Sequence, residues 1–315
     1  MSTQHRPLVT TAAILVAVTC GLGMAAQARV NGELAVQIQN GPLAAFISFG
    51  TGLIIMLIAM AFSKAGRRGI GEVRTAIAER RIPWFWILGG LGGAYLILSQ
   101  GLVAATLGVA LFSVGVVAGQ TLSALVIDRR GLGSMGSKPI TPLRVIGALL
   151  ALGAVVYAGS SQLHGDFPVW MLLLPFTAGI GIAWQQAFNG QIREVSGSAV
   201  TASFGNFVVG TTALGLATLA ASPWNGWPDS LPLDPVLYLG GPIGVMFIVA
   251  GAIVVRYIGV LLLGLGMIAG QLLGSLVLDL VVPAAGHELG VPTVISTVVT
   301  LVAVSLSALG GQKKA

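Results

Sequence analysis

The chemically useful residues of this chain are a few polar side chains set inside long apolar runs. Gln27 and Asn31 stand four apart, which puts them on one face of a helix; Gln185 and Asn189 repeat the spacing. Gln120 and Gln271 each interrupt the middle of an apolar run, and Asn206 does so in another, with Ser48 at the equivalent place in an earlier run. Side-chain amides donate and accept hydrogen bonds but do not titrate. They can hold a ligand or tie helices together, and helix–helix bonding is the commoner use of a mid-run Gln. Asn31-Gly32 and Asn189-Gly190 read equally well as helix-ending turns.

Asp128 and Asp279 close two apolar runs. Asp128 is followed at once by Arg129 and Arg130, which suits an interfacial acid marking a helix end. No carboxylate lies at the centre of a run, where a proton-coupling acid would stand. His5, His164 and His287 fall outside the runs, and His287-Glu288 lacks the second His of a zinc-peptidase motif. The single cysteine, Cys20, allows neither an intramolecular disulfide nor a cysteine zinc cluster. No nucleophile elbow or P-loop occurs. The expectation is no catalytic residue, no metal and no cofactor.

The elements that must position these amides are membrane spans. Of 315 residues, 55% are hydrophobic and only 8% charged, against about 25% charged in soluble domains. So few charges cannot cover a water-facing surface. The net charge of +6 is too dispersed for a nucleic-acid footprint. Runs long enough to cross a bilayer lie at about 8–29, 42–63, 84–103, 105–127, 143–160, 168–189, 198–221, 236–255, 257–281 and 291–309. Prolines 42, 83, 142, 168, 235 and 292 stand at or just before run starts. Two boundaries are weak, around Ala104–Thr106 and at Arg256-Tyr257.

The chain repeats itself. Shifted by 158, Gln27, Asn31, Gly32, Ala44, Phe46, Phe49 and Gly52 fall on Gln185, Asn189, Gly190, Ala202, Phe204, Phe207 and Gly210. Shifted by 151, Gly89, Gly90, Gly93, Gly115, Ala118-Gly119-Gln120 and Asp128 fall on Gly240, Gly241, Gly244, Gly266, Ala269-Gly270-Gln271 and Asp279. Gln, Asn and Asp do not coincide through low complexity. The expected fold is an all-α membrane protein of ten transmembrane helices, built as two five-helix copies over residues 1–163 and 164–315. The Ala26-Gln27-Ala28 stretch resembles a signal-peptide cleavage site, but the repeat makes the first span the counterpart of the sixth.

Five spans per copy require the second copy to be inverted. With the N- and C-termini in the cytoplasm, every Lys and Arg except Arg29 falls on the cytoplasmic side, as the positive-inside rule demands. The loop after span 2 carries Lys64, Arg67, Arg68, Arg74, Arg80 and Arg81; its counterpart after span 7 carries Asp229 and Asp234. Gly89-x-x-x-Gly93, Gly115-x-x-x-Gly119, Gly240-x-x-x-Gly244 and Gly266-x-x-x-Gly270 are expected to be close-packed helix faces.

With its two five-span copies, the chain resembles the drug/metabolite transporter superfamily, and within it the YdcZ-type inner-membrane exporters related to EamA-like transporters. The stretches that carry this are Gln27-Ala28-Arg29-Val30-Asn31-Gly32, Phe46-Ile47-Ser48-Phe49-Gly50-Thr51-Gly52, Gly89-Gly90-Leu91-Gly92-Gly93-Ala94 and Ala118-Gly119-Gln120 through Asp128. The resemblance spans nearly the whole chain. It implies a carrier of the bacterial inner membrane that exports small metabolites or toxic organic compounds by alternating access, with a cavity between the copies. Small multidrug members use a glutamate in their first helix; here Glu33 lies beyond the first run, so proton-coupled export of organic cations is not implied. The partners are then the lipid bilayer and a small-molecule substrate, with no nucleic acid and a homodimer left open. The expected substrate-binding residues are Gln27, Asn31, Gln120, Gln185, Asn189, Asn206 and Gln271. The alternatives are a passive channel or facilitator and a nontransporting membrane scaffold.

Overall fold

The computed structural model describes residues 5–132, 140–160, 168–282 and 290–312. His164, His287, Glu288, Lys138, Lys313 and Lys314 lie outside the described residues, as do the side chains of His5, Arg6 and Arg256. The described residues are helical and contain no strand. The helices are α1 (His5–Gln37), α2 (Gly41–Phe62), α3 (Lys64–Ala78), α4 (Gly90–Ser99), α5 (Ala105–Leu107), α6 (Val109–Arg129), α7 (Pro142–Ser160), α8 (Leu173–Ser196), α9 (Ala199–Asn225), α10 (Gly240–Val281) and α11 (Val291–Gln312). Among the described residues, eight segments are long and apolar enough to cross a membrane: Thr11–Gln37, Gly41–Phe62, Trp84–Leu107, Val109–Arg129, Trp170–Ser196, Ala199–Asn225, Leu263–Val281 and Val291–Leu309. Their outward faces expose apolar side chains such as Leu15, Leu57, Leu216 and Val277. In a membrane such faces meet lipid.

Of the ten expected spans, the apolar part of α7, Pro142–Ala158, is shorter, and the eighth and ninth share the single helix α10, whose middle side chains lie outside the described residues. A straight helix of 42 residues would reach about 63 Å. The packing excludes a straight rod. Gly240 meets Gln27 and Asn31 of α1, Ile243 lies against Gly23, and Val254 clusters with Ala13 and Ala17. Farther along, Gly266 meets Ala17, Gly270 meets Val18, and Gly274 meets Leu22 and Ala25. One arm therefore runs down α1 and the other runs back up it, with the reversal between Val254 and Leu263.

The other half of the molecule has the same plan. From Trp84 to Leu107 the chain runs along α8, with Gly89 near Asn189, Gly92 against Gly181, and the Tyr95 hydroxyl 2.8 Å from that of Thr177. Then α6 runs back: Gly115 on Pro175, Gly119 on Phe176, and Ile127 with Ala183 and Ala187. Here the reversal is abrupt, at Gly108, whose φ of 78° suits a residue without Cβ. The break falls there rather than at Ala104–Thr106 because a π turn (Gln100–Ala104) and α5 carry the span on to Leu107.

The copies thus exchange partners: α1 is gripped by the third and fourth segments of the second half, and α8 by those of the first. Phe49 of α2 and Phe207 of α9 meet at 5.2 Å between ring centroids. The most enclosed segment is α6, buried without interruption from Leu107 to Gly119. At the periphery α7 and α11 pack together, Gly147 against Ala303 and Ser307, and an apolar groove of about 430 Å³ runs between them.

Candidate functional site: two amide clusters

The α1 cluster forms because α1 does not stop at Asn31-Gly32. It continues to Gln37, so the helix-ending reading fails there, and Gln27 and Asn31 stay on one buried face. The Gln27 Nε2 donates to the Gly240 carbonyl at 2.6 Å, and the Asn31 Nδ2 donates to Gln100 Oε1 at 2.6 Å. Ser48 of α2 completes the group, its Oγ 2.6 Å from the place a Gly240 Cβ would occupy. Gln27, Asn31, Ser48 and Gln100 are all buried. Neutral amides can be enclosed this way only with partners, since each unpaired buried polar atom costs about 1–3 kcal/mol. Two atoms here have none, Asn31 Oδ1 and Ser48 Oγ.

The α8 cluster is its counterpart, and α8 likewise continues past Asn189-Gly190 to Ser196. Gln185 lies against Gly93, as Gln27 lies against Gly244, each with an amide atom 2.7 Å from the missing Cβ. Asn189 and Asn206 approach Gly89, as Asn31 and Ser48 approach Gly240. The two sites nevertheless differ. Around Gly89 the nearest atoms are Phe188 Cβ at 3.4 Å, Asn206 Oδ1 at 3.5 Å and Asn189 Oδ1 at 3.6 Å from a Cβ position. Around Gly240 the neighbours are too close for a Cβ. Gln185 Oε1 and Asn206 Nδ2 are buried without a hydrogen-bond partner. Gln185 and Asn189 are half-buried and Gln186 is exposed. Amides facing lipid are costly, so this end of α8 borders space that water can reach.

Gln120 and Gln271 sit where helices cross most closely. The Gln120 amide nitrogen of the main chain packs on Gly179, and that of Gln271 on Gly21. Gln271 is buried and Gln120 half-buried; neither hydrogen-bonds to an amide cluster among the described residues. The expected packing glycines divide by role. Gly115, Gly119, Gly266 and Gly270 bring helix backbones together, whereas Gly89, Gly93, Gly240 and Gly244 make room for the amides.

The two acids, equivalent in sequence, have different partners. Asp279 accepts hydrogen bonds from the main-chain N–H groups of Val109 (3.0 Å) and Ala110 (2.7 Å). It thereby caps α6 from a helix of the other half, a favourable place for a negative charge. Asp128 takes the guanidinium of Arg144 at 2.5 Å. Glu33 falls within α1 and accepts from Gln37 at 3.1 Å.

Sequence reasoning missed Gln100 and Arg144. Both occupy places where the second copy has an apolar residue or glycine, Gly251 and Ile295 under the same shift, so comparing the copies could not single them out. A polar residue in an apolar run was the available signal for Gln100.

A family model described as "Putative inner membrane exporter, YdcZ" matches residues 12–157 and, separately, residues 170–306. The chain belongs to this family. Two successive matches to one model agree with a two-copy member of the drug/metabolite transporters. No curated protein matches the sequence. A solved structure described only as "Crystal structure of protein" aligns over 99% of both chains with a TM-score of 0.51 and 18% identity, a likeness of fold alone. Family and apolar helices together make this a multi-pass membrane protein and a membrane transporter, and point away from an enzyme.

Proposed function

We propose that the protein is a secondary transporter that exports a small metabolite or toxic organic compound across the bacterial inner membrane by alternating access. In this reading the chain crosses the bilayer ten times, as two inverted five-helix copies over residues 1–163 and 164–315, with both termini in the cytoplasm. The arms of α10 count as two spans and α7 as a short one. The α1 cluster then faces outward and the α8 cluster inward. The observation that supports this reading best is the unequal state of two equivalent sites. The α1 cluster is bonded shut through Gln27 and Asn31. Each cluster keeps two buried polar atoms without partners, but in the α8 cluster Gln185 and Asn189 are partly exposed and Gly89 has room for a Cβ where Gly240 has none. A molecule with pseudo-twofold construction can close either end at similar cost, so exchanging these two states moves a midplane site from one side to the other.

Gln27, Asn31, Gln185, Asn189 and Asn206 serve in this scheme as gate and ligand contacts. Gln120 and Gln271 contribute at the helix crossings between them. The test is counterflow of candidate metabolites in proteoliposomes. Saturable counterflow that falls at least tenfold in Gln27→Leu or Gln185→Leu is expected. Conductance without saturation would replace the carrier by a channel. Unchanged flux in the Gln120→Leu, Gln271→Leu double variant would remove those two residues from the site. Labelling of single cysteines placed in the 64–81 and 226–234 loops checks the orientation.

A further inference from the structure

Both ends of α3 join membrane-crossing segments, Gly41–Phe62 before it and Trp84–Leu107 after it. The helix therefore lies at the bilayer surface. Small residues seat it there. Gly66, Gly69, Val73 and Ala76 form its buried stripe. The Gly66 carbonyl accepts from the Thr201 hydroxyl at 3.0 Å, a Cβ on Gly69 would strike Thr201 and Ser196, and Val73 and Ala76 cluster with Ile192 and Ala202. Thus α3 rests against the turn between α8 and α9, and most of its remaining circumference is exposed.

That exposed face is cationic, and the protein uses only part of the charge. Arg67 donates to the carbonyls of Met60 and Ala61 and so closes the end of α2. Arg81 pairs with Glu79 at 2.7 Å. Lys64, Arg68, Arg74 and Arg80 are left: all four are exposed, and none has an ion-pair partner among the described residues. Glu72 is the only other acid between the two spans. The arrangement is unfavourable by itself. Lys64 and Arg68 stand four apart, a spacing at which like charges repel, and both lie at the start of the helix, where its dipole disfavours cations. Anions outside the protein would offset both penalties. Apolar side chains frame the cations. Phe62 is 86% exposed and Trp84 61% exposed at the two joints, and Ile70, three residues after Arg67 and four before Arg74, is exposed as well. Basic residues set among exposed apolar and aromatic ones suit a helix lying in the headgroup layer.

We propose that α3 is an interfacial helix that binds anionic phospholipid. Lys64, Arg68, Arg74 and Arg80 reach the phosphates on their long stems, and Phe62, Ile70 and Trp84 enter the acyl boundary. The lipids flanking Phe62 and Trp84 carry their phosphates at this level, which favours lipid over a soluble anion. The inference goes beyond the transport reading and depends neither on the direction of export nor on which leaflet α3 faces.

The test uses the purified full-length protein in neutral detergent, given phosphatidylglycerol or phosphatidylcholine with the same acyl chains. Native mass spectrometry counts the retained lipid, and thermal unfolding reads its effect on the protein. Phosphatidylglycerol is expected to be retained about tenfold more strongly or better, given four cations near the headgroups, and to raise the unfolding temperature. The preference should weaken as salt rises. Neutralising Lys64, Arg68, Arg74 and Arg80 together to Gln should abolish it. Each half of that set, Lys64→Gln with Arg68→Gln or Arg74→Gln with Arg80→Gln, should lower it in part, which keeps the test open if the fourfold variant does not fold. Arg68→Lys, Arg74→Lys and Arg80→Lys combined should keep it, because point charges suffice. Equal retention of the two lipids by the unaltered protein would overturn the proposal. So would a preference that survives in both half-sets, or one that disappears instead in Arg129→Gln with Arg130→Gln. The same thermal shift from inorganic phosphate alone would replace the lipid by a soluble anion.

Discussion

Gly89 and Gly240 occupy the same place in the two copies, yet the same substitution should act on them in opposite ways. Gly240→Ala puts a methyl carbon into Asn31 Oδ1 and 2.6 Å from Ser48 Oγ, so both side chains must move away. Overpacking of this kind costs about 1–3 kcal/mol. Displacing Asn31 also strains its 2.6 Å bond to Gln100, worth about 1 kcal/mol. Gly89→Ala meets its neighbours at 3.4–3.6 Å, ordinary contact distances. Gly89 has helical angles, φ −49° and ψ −33°, so alanine there removes unfolded-chain entropy and stabilises by about 0.4–1 kcal/mol. The same entropy gain offsets part of the cost at Gly240. The two variants should therefore differ by about 1–4 kcal/mol in unfolding free energy, with Gly240→Ala the weaker. Equilibrium unfolding of each purified variant in mixed micelles measures this. Equal stabilities, or a less stable Gly89→Ala, would refute the claim that one cluster is shut and the other open.

Other substitutions test the frame around the clusters. Asp279→Ala removes the acceptor for two N–H groups at the start of α6 and should cost about 0.5–2 kcal/mol, with Asp279→Asn in between, both read from thermal unfolding. Gly119→Ala and Gly270→Ala drive a methyl group into the carbonyls of Phe176 and Val18. Unlike the Gly89 and Gly240 pair they should destabilise alike, by at least about 1–3 kcal/mol, seen as loss of monodisperse protein on size-exclusion chromatography. A double-mutant cycle of Phe49→Leu and Phe207→Leu should give a coupling of about 0.5–1.5 kcal/mol, and no coupling would mean that the rings do not hold α2 against α9.

Much of this arrangement was legible before any coordinates. An amide in an apolar run is expensive wherever it stands, so its presence marks a place where a helix faces protein or water. Gln27, Asn31, Gln185, Asn189 and Asn206 all proved to lie in such places. The recurrence of Gln, Asn, Gly and Asp at a constant shift gave the two-copy plan, and the glycine spacing gave the close helix faces. Helix ends were less legible. Asn-Gly is a turn signal in water, but inside α1 and α8 the Asn side chains found partners or neighbours across the helix interface, and the backbone had no reason to stop hydrogen bonding. The boundary at Arg256-Tyr257 is no helix end either, because α10 stays helical through the reversal between Val254 and Leu263.

Composition and the internal repeat alone determined that the chain is a membrane protein and which polar residues recur between its halves, because those properties follow from the transfer cost of each side chain and from sequence identity between the halves. Only the tertiary structure decided which copy grips which helix, that Asp279 caps α6 while Asp128 pairs with Arg144, and that one amide cluster is closed while its twin is not. The sequence carries part of that last distinction, because Gln100 and Ser48 of one site have Gly251 and Asn206 as counterparts in the other; how closely each set of side chains packs over its glycine exists only in the packing of the halves.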